Sequence, residues 1–199
     1  RAIEASGTER VKMMWINYPH MPTGTRASRE LFEELVRFAQ RHRILLCNDN
    51  PYSFILNTEH LSILSVPGAA ETALELNSLS KSHNMAGWRI GMLAGNSTYI
   101  NNVLKVKSNM DSGMFQPLQA AAVAALALPD RWYEGINMVY SRRRILAAGI
   151  MNALSCTFDE TQSGLFLWGK IPGTFRDAEE LTEEILHNNH LFITPGSVF

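Results

Sequence analysis

The residues best suited to chemistry lie in one stretch, Ser78-Leu-Ser-Lys81 followed by Gly87-Trp-Arg-Ile-Gly91. Lys81 lies among three serines, and Arg89 follows eight residues later. A lysine that reacts covalently must be a free amine near neutral pH, which requires desolvation or a nearby cation. Serine hydroxyls and an arginine suit a phosphate monoester, because they offer neutral donors and a bidentate cation. The stretch therefore predicts a reactive lysine beside a phosphate-binding site.

Two earlier loops add polar groups. The first is Tyr18-Pro-His-Met-Pro-Thr-Gly24, and the second is Asn48-Asp-Asn-Pro-Tyr-Ser53, which contains Asp49 and Tyr52. A reactive lysine, a set of phosphate donors and a nearby carboxylate together describe a site for pyridoxal 5'-phosphate (PLP).

The three segments resemble, in order and in separation, the motifs of the class I and II aminotransferases, which are fold-type I PLP enzymes. Ser78 to Gly91 resembles the family's Ser-x-Ser-Lys followed by Gly-Trp-Arg-x-Gly. Asp49 and Tyr52 resemble its Asp-x-x-Tyr loop, and Met21 to Gly24 resembles its Asn-Pro-Thr-Gly loop. The resemblance extends over the whole chain. It implies transfer of an amino group from an amino acid to a 2-oxo acid.

The resemblance also implies roles for single residues. Lys81 would be the catalytic residue that forms the Schiff base with PLP. Asp49 would pair with the pyridine nitrogen, and its charge would keep that nitrogen protonated. Tyr52 would donate to the 3-oxygen of the cofactor. The phosphate would be held by Ser78, Ser80 and Arg89.

Met21 departs from the family pattern, which usually has Asn at this position. A thioether cannot donate a hydrogen bond, so one of the usual contacts with the cofactor and the substrate carboxylate is altered. This departure keeps a second reaction open, because carbon–sulfur β-lyases use the same constellation. Two further alternatives are a ligand-sensing aminotransferase-like domain of a transcription regulator and a remnant that has lost catalysis.

The elements that must position these loops follow from hydrophobic periodicity. Strands are predicted at residues 12–17, 44–47, 74–76 and 88–94, and a helix that begins after Ser28 joins the first two. This pattern predicts an α/β fold of PLP-dependent transferase type I, with a mainly parallel sheet and helices on both faces. Ligands in such folds bind beyond the carboxyl ends of the strands, where all three loops lie.

Two domains are expected. Residues 1–144 would form part of the large PLP-binding domain, and residues 145–199 would begin a small α+β C-terminal domain. The second part has predicted strands at 165–168 and 191–193, and a capping-box pair, Asp177 and Glu180, before a helix.

Composition narrows the possible partners and compartments. The chain has 199 residues and a net charge of -1, which leaves no electrostatic footprint for nucleic acid. The sequence contains no apolar run long enough to cross a membrane. The two cysteines have neither metal nor disulfide spacing and fit the cytoplasm. The resemblance implies a homodimer, and we expect this chain to be a fragment that lacks both termini of such an enzyme.

Other polar residues carry plainer predictions. His83 is expected to be a surface histidine or one that lies behind the site. The run Arg142 to Arg144 is expected to form a solvated helix face or an interface. His187 and His190 fit a helix C-terminus better than a metal site.

Overall fold

The computed structural model describes residue 4 and residues 7–199. Residues 1–3, 5 and 6, at the start of the predicted large domain, lie outside the described part. The main sheet has four strands in chain order, with β1 and β2 parallel, β2 and β3 parallel, and β3 and β4 antiparallel. They are β1 (Met13–Asn17), β2 (Leu45–Asp49), β3 (Ala73–Ser78) and β4 (Gly91–Gly95).

Helices follow or connect most of these strands. Three short 3-10 turns occur at Ile63–Ser65, Ala86–Trp88 and Gly196–Val198. A separate antiparallel pair consists of β5 (Thr157–Phe158) and β6 (Gly169–Lys170). The α-helices are α1 (Arg29–His42), α2 (Ala69–Thr72), α3 (Leu79–Ser82), α4 (Ser97–Met110), α5 (Gln116–Leu126), α6 (Arg131–Ala153) and α7 (Ala178–Asn189).

The βαβ unit predicted at the start of the chain is confirmed. Ser28 caps α1, and its hydroxyl accepts a hydrogen bond from the Leu31 N–H at 3.1 Å. Phe32 and Val36 on α1 are fully buried against the sheet, where they pack with Leu46 of β2. This core holds β1 and β2 parallel, so that both strands end at the same edge.

Two smaller cores support the remaining elements. Leu79, Met85 and Ile90 are buried together, and residues of α5, including Leu118, pack against them. This cluster encloses the turn that carries Lys81. The other cluster is formed by buried Cys156 with Leu181 and Ile185 of α7.

Three predicted strands are corrected. The strand expected at 88–94 begins at Gly91, because Ala86–Trp88 forms a 3-10 turn. Residues 165–168 are not a strand, since side chains rather than a neighbouring strand bind their backbone. Gln162 bonds both the N–H and the carbonyl of Trp168, each at 2.7 Å. Residues 191–193 likewise pair with no strand in the described part of the chain.

The capping pair predicted before the last helix is found in part. The Asp177 carboxylate accepts from the Glu180 N–H at 2.9 Å, as expected, but Glu180 reaches back to the Arg176 N–H instead of that of Asp177. Helix α4 is capped by Asn96, whose side-chain oxygen accepts from the Thr98 N–H at 2.8 Å. Helix α6 runs through residues 144 and 145, where the division into two domains is proposed. Among the described residues, no helix is both long and apolar enough to cross a membrane.

Candidate active site

The three loops predicted to carry the chemistry leave the sheet at one edge. Asn17, Asp49 and Ser78 are the last residues of β1, β2 and β3, which run parallel. Strand β4 starts at this edge and runs antiparallel, with Gly91 opposite Ser78. Arg89, two residues before β4, is thereby brought back to the edge from which the other three segments leave.

Lys81 lies on α3, a single helical turn that follows β3 directly. Ser78 caps this turn, because its hydroxyl oxygen accepts from the Ser80 N–H at 3.1 Å. The base of the segment is closed by a 3.3 Å hydrogen bond from the Leu79 N–H to the Ile90 carbonyl. Lys81 is half-buried, and its amine has neither a hydrogen bond nor an ion pair with any residue of the described part of the chain. The amine is therefore available for a covalent bond.

Asp49 is held by its backbone and leaves its carboxylate unpaired. Its carbonyl accepts from the Asn17 side-chain amide at 2.6 Å, and the following N–H, that of Asn50, donates to the Leu76 carbonyl at 2.8 Å. The residue as a whole is exposed, but its carboxyl group is partly enclosed, and this burial raises the pKa of Asp49. Among the described residues the carboxylate has no counter-ion, so a cation placed there would be favoured.

Tyr52 lies in the loop after Asp49 and is 7% exposed. Burial raises the pKa of Tyr52, and the negative charge of Asp49 raises it further. The Tyr52 ring meets the Phe166 ring edge to face, with centroids 6.0 Å apart. Gly164 lies on the same side of the ring, where an added Cβ would make ordinary contact at 3.6 Å from the Tyr52 Cβ. Residues far along the chain therefore fix the position of this phenol.

The residues proposed to contact the phosphate lie near one another but differ in their exposure and in the hydrogen bonds that they already make. The Ser78 hydroxyl already accepts one backbone hydrogen bond, which leaves its O–H free to donate. Ser80 is half-buried on the Lys81 turn. Arg89 is exposed, has a left-handed backbone with φ of 51°, and donates to the Ala86 carbonyl at 2.9 Å. The arginine is thus tied to its own loop at the edge where Ser78 lies.

A chain of buried polar groups beneath the loops was not predicted from the sequence. Asn48 is fully buried; its side-chain oxygen accepts from the Tyr18 N–H at 3.2 Å, and its amide donates to Glu75 at 3.0 Å. The same Glu75 oxygen accepts from the Ile63 N–H at 3.0 Å. The signal was present, since Asn48 and Glu75 interrupt strands that otherwise read as apolar.

His83, expected either on the surface or behind the site, and one face of α6 make contacts behind the site loops. His83 is not on the surface: it is 6% exposed, bonds the Ser82 hydroxyl at 2.8 Å and meets the Tyr133 hydroxyl at 3.2 Å. Asn137, one turn further along α6, bonds the carbonyl of Phe54 at 2.9 Å. Helix α6 therefore contacts both the loop after Lys81 and the loop after Tyr52.

Arg144 corrects the interpretation of the arginine run. Arg142 and Arg143 are exposed, as expected for a solvated face, whereas Arg144 is half-buried. Its guanidinium donates to the Gly164 carbonyl at 2.8 Å. A signal existed here too: residues 133, 137 and 144 recur at helical spacing, so their side chains share one face of α6.

Comparison with known proteins agrees with this arrangement. The family described as "Aminotransferase class I and II" matches residues 1–199. The LL-diaminopimelate aminotransferase of Gloeobacter violaceus is 38% identical over 198 residues, covering 98% of this chain and 50% of the relative. LL-diaminopimelate aminotransferase 2 of Trichormus variabilis is 39% identical over 189 residues, covering 94% and 48%.

Solved structures give the same result. Substrate-bound BacF from Bacillus subtilis superposes with a TM-score of 0.90 at 31% identity, over 98% of this chain and 50% of that one. An aspartate aminotransferase from Thermotoga maritima gives 0.86 at 28% identity, over 98% and 51%. The fold is that of the PLP-dependent aminotransferases. The chain belongs to the class I and II aminotransferases, and it spans about half the length of the curated relatives it matches.

The described residues fit the cofactor of this family, PLP. An unpaired lysine amine and an unpaired carboxylate with a raised pKa share one sheet edge, as do free hydroxyl donors and an arginine. When bound, PLP supplies an electron sink for the substrate carbon that loses its proton. Asp49 would hold the proton on the ring nitrogen, and Ser78, Ser80 and Arg89 would orient the phosphate.

Proposed function

We propose that the intact protein is an aminotransferase that moves an amino group from an amino acid to a 2-oxo acid, with PLP held by Lys81. The observation that carries this proposal is the unpaired Lys81 amine at the edge where the unpaired Asp49 carboxylate also lies. Membership of the class I and II aminotransferases supports the same reaction.

The remaining site residues are proposed contacts of the cofactor. Tyr52 would donate to the ring oxygen, because its raised pKa keeps the phenol protonated near neutral pH. Ser78, Ser80 and Arg89 would bind the phosphate. An Arg89→Gln change is expected to weaken PLP binding by about tenfold to a hundredfold, the range for a charged hydrogen bond.

Spectroscopy of the intact protein tests the reaction. The wild type should show the visible absorbance of lysine-bound PLP, and Lys81→Ala should lose it, whereas exposed Lys105→Ala should keep it. An amino acid should convert the absorbance to the shorter wavelength of pyridoxamine phosphate and release a 2-oxo acid. Release of pyruvate and ammonia would instead indicate the carbon–sulfur β-lyase reaction.

The names of the relatives suggest where to look for a substrate. LL-diaminopimelate is the first amino donor to test, because several relatives with 33–39% identity carry that name. Activity with it above that with aspartate would support this assignment.

We further propose a cytoplasmic homodimer. Two buried free cysteines support a reducing compartment. Apolar side chains exposed on α4, α5 and α6 support association, among them Val106 at 63%, Val123 at 69% and Ile145 at 71%. Sedimentation of the intact protein at micromolar concentration should give the mass of two chains.

A further inference from the structure

The Arg144 side chain binds the backbone of one distant segment, residues 162–166. Its Nη2 donates to the carbonyls of Gly164 at 2.8 Å and Phe166 at 3.1 Å. Its Nη1 donates to the carbonyl of Gln162. These three carbonyls belong to alternate residues of an irregular segment, which pairs with no strand among residue 4 and residues 7–199.

Among the residues that the structure describes, the Arg144 guanidinium forms hydrogen bonds only with backbone carbonyls. No carboxylate of residue 4 or residues 7–199 pairs with its guanidinium, and burial lowers the pKa of Arg144. A planar guanidinium presents five N–H donors in a fixed fork, which suits several carbonyls at once. A lysine ammonium has no such fork.

Segment 162–166 joins both loops that precede Lys81. The Ser163 N–H donates to the Gly24 carbonyl at 2.9 Å, and the Gly164 N–H donates to the Ile55 carbonyl at 2.8 Å. Gly24 approaches so closely that an added Cβ would lie 2.6 Å from the Ser163 carbonyl oxygen. The segment therefore lies across the Pro-Thr-Gly loop and the Tyr52 loop together.

The same segment covers the Tyr52 ring. An added Cβ on Gly164 would be 3.6 Å from the Tyr52 Cβ, an ordinary van der Waals distance, so the segment passes beside this side chain. Phe166 meets the ring edge to face at 6.0 Å. Because burial is the main cause of the raised pKa of Tyr52, whatever holds this segment also controls the phenol.

We propose that Arg144 is a positioning residue of the active site. Its guanidinium fixes segment 162–166 over Tyr52 and against Gly24, and through that segment it sets the position and the enclosure of the Tyr52 phenol. The step from Tyr52 to the cofactor rests on the proposed function. The hold of Arg144 on the segment does not.

The test compares Arg144→Met with Arg142→Met, which removes an exposed arginine two residues away. Amide hydrogen exchange is followed by NMR without PLP. Ser163 and Gly164 should exchange about tenfold faster or more in Arg144→Met, since their segment loses its anchor. Amides of α1 should keep their rates, and Arg142→Met should match the wild type throughout.

The Arg144→Lys variant keeps the positive charge but removes the planar set of N–H donors. It should show intermediate exchange at Ser163 and Gly164, because one ammonium cannot reproduce the planar fork. If Arg144→Met fails to fold, this variant decides: wild-type exchange rates in Arg144→Lys would overturn the role of the fork.

A second readout follows Tyr52 itself. In Arg144→Met the pKa of Tyr52 should fall towards its ordinary value, and with PLP bound the pH at which the visible absorbance titrates should shift. That spectral shift should vanish when Arg144→Met is combined with Tyr52→Phe. Unchanged exchange at Ser163 and Gly164, or a spectral shift that persists without the Tyr52 hydroxyl, would contradict the proposal.

The two proposals fail separately. Absence of PLP binding in the wild type would contradict the proposed function. The exchange rates and the pKa of Tyr52, both measured without cofactor, would still decide the role of Arg144.

Discussion

The Asp49 carboxylate lies close enough to the Tyr52 phenol that its negative charge raises the pKa of that phenol, in addition to the larger effect of burial. Asp49 is the last residue of β2, and Tyr52 lies three positions later in the loop that follows the strand. The roles proposed for these residues need the two groups in different protonation states, with the carboxyl ionised and the phenol protonated. Their proximity favours this arrangement, because ionising either one opposes ionising the other.

Asp49→Asn is expected to lower the pKa of Tyr52 while leaving it above the ordinary value, because burial remains. NMR titration of ring-labelled tyrosines measures this directly. Asp130→Asn is the matched control, since Asp130 adds in the same way to the raised pKa of Tyr133. Each substitution should shift its own tyrosine alone; a shift of both would mean that the changes reflect general loosening.

His83 predicts a pH dependence of stability. Burial lowers the pKa of His83, so the folded state resists a proton that the unfolded state accepts near pH 6.5. The free energy of unfolding should therefore be unaffected by this group above that pH and should fall as the pH drops below it. Urea unfolding between pH 8 and pH 5 should show the decrease in the wild type and a flatter profile in His83→Gln.

Gly24→Ala should destabilise the protein and disturb the loop it belongs to. Its φ of +67° costs an alanine about 1–2 kcal/mol. The new Cβ would also lie 2.6 Å from the Ser163 carbonyl oxygen, and relieving such a clash costs about 1–3 kcal/mol more. Denaturant unfolding measures the sum.

Gly149→Ala provides the control for that substitution. Gly149 lies within α6, and an added Cβ there meets no atom within 4 Å. Alanine is the better helix former by about 0.5–1 kcal/mol, so this variant should be more stable than the wild type. A loss of stability in Gly149→Ala equal to that in Gly24→Ala would show that the close approach at Gly24 is not the cause.

Replacing two buried polar side chains, Asn48 and Ser163, by alanine should have opposite effects on the free energy of unfolding. Asn48→Ala leaves the Tyr18 N–H without its acceptor and removes one donor from the Glu75 carboxylate, which keeps the Ile63 N–H; this should cost about 2–4 kcal/mol. The Ser163 hydroxyl is buried and has no hydrogen-bond partner in the described part of the chain. Ser163→Ala should therefore leave stability unchanged or raise it by about 1 kcal/mol. Thermal or urea unfolding of both variants decides, and equal losses would contradict this account.

The fold and the order of the site loops could be predicted because they depend on local patterns. The apolar run that ends at Cys47, the cap at Ser28 and the short distance between them fix a βαβ unit with few alternatives. The prediction of a strand at 165–168 was wrong because this run is as apolar as the one that ends at Cys47, although it does not pair with another strand in the described part of the chain. Its backbone is bound by side chains that no local rule could assign to it.

Long-range contacts explain the burial of two side chains that the local sequence did not specify. Arg142, Arg143 and Arg144 are identical in type, and one turns inward because residues 162–166 meet that face of α6. His83 is buried by Tyr133, fifty residues later. Such contacts depend on where a distant element packs, and the local sequence around each residue carries little trace of it.

The way Arg144 is bound has a consequence for ionic strength. Dissolved salt weakens attraction between separated charges, but it screens contacts between a half-buried charge and adjacent carbonyls much less. The surface pairs of this chain, such as Arg37 with Glu33 at 3.7 Å, are open to such screening. The hydrogen bonds between Arg144 of α6 and the segment over Tyr52 should therefore persist at salt concentrations that disrupt the surface ion pairs.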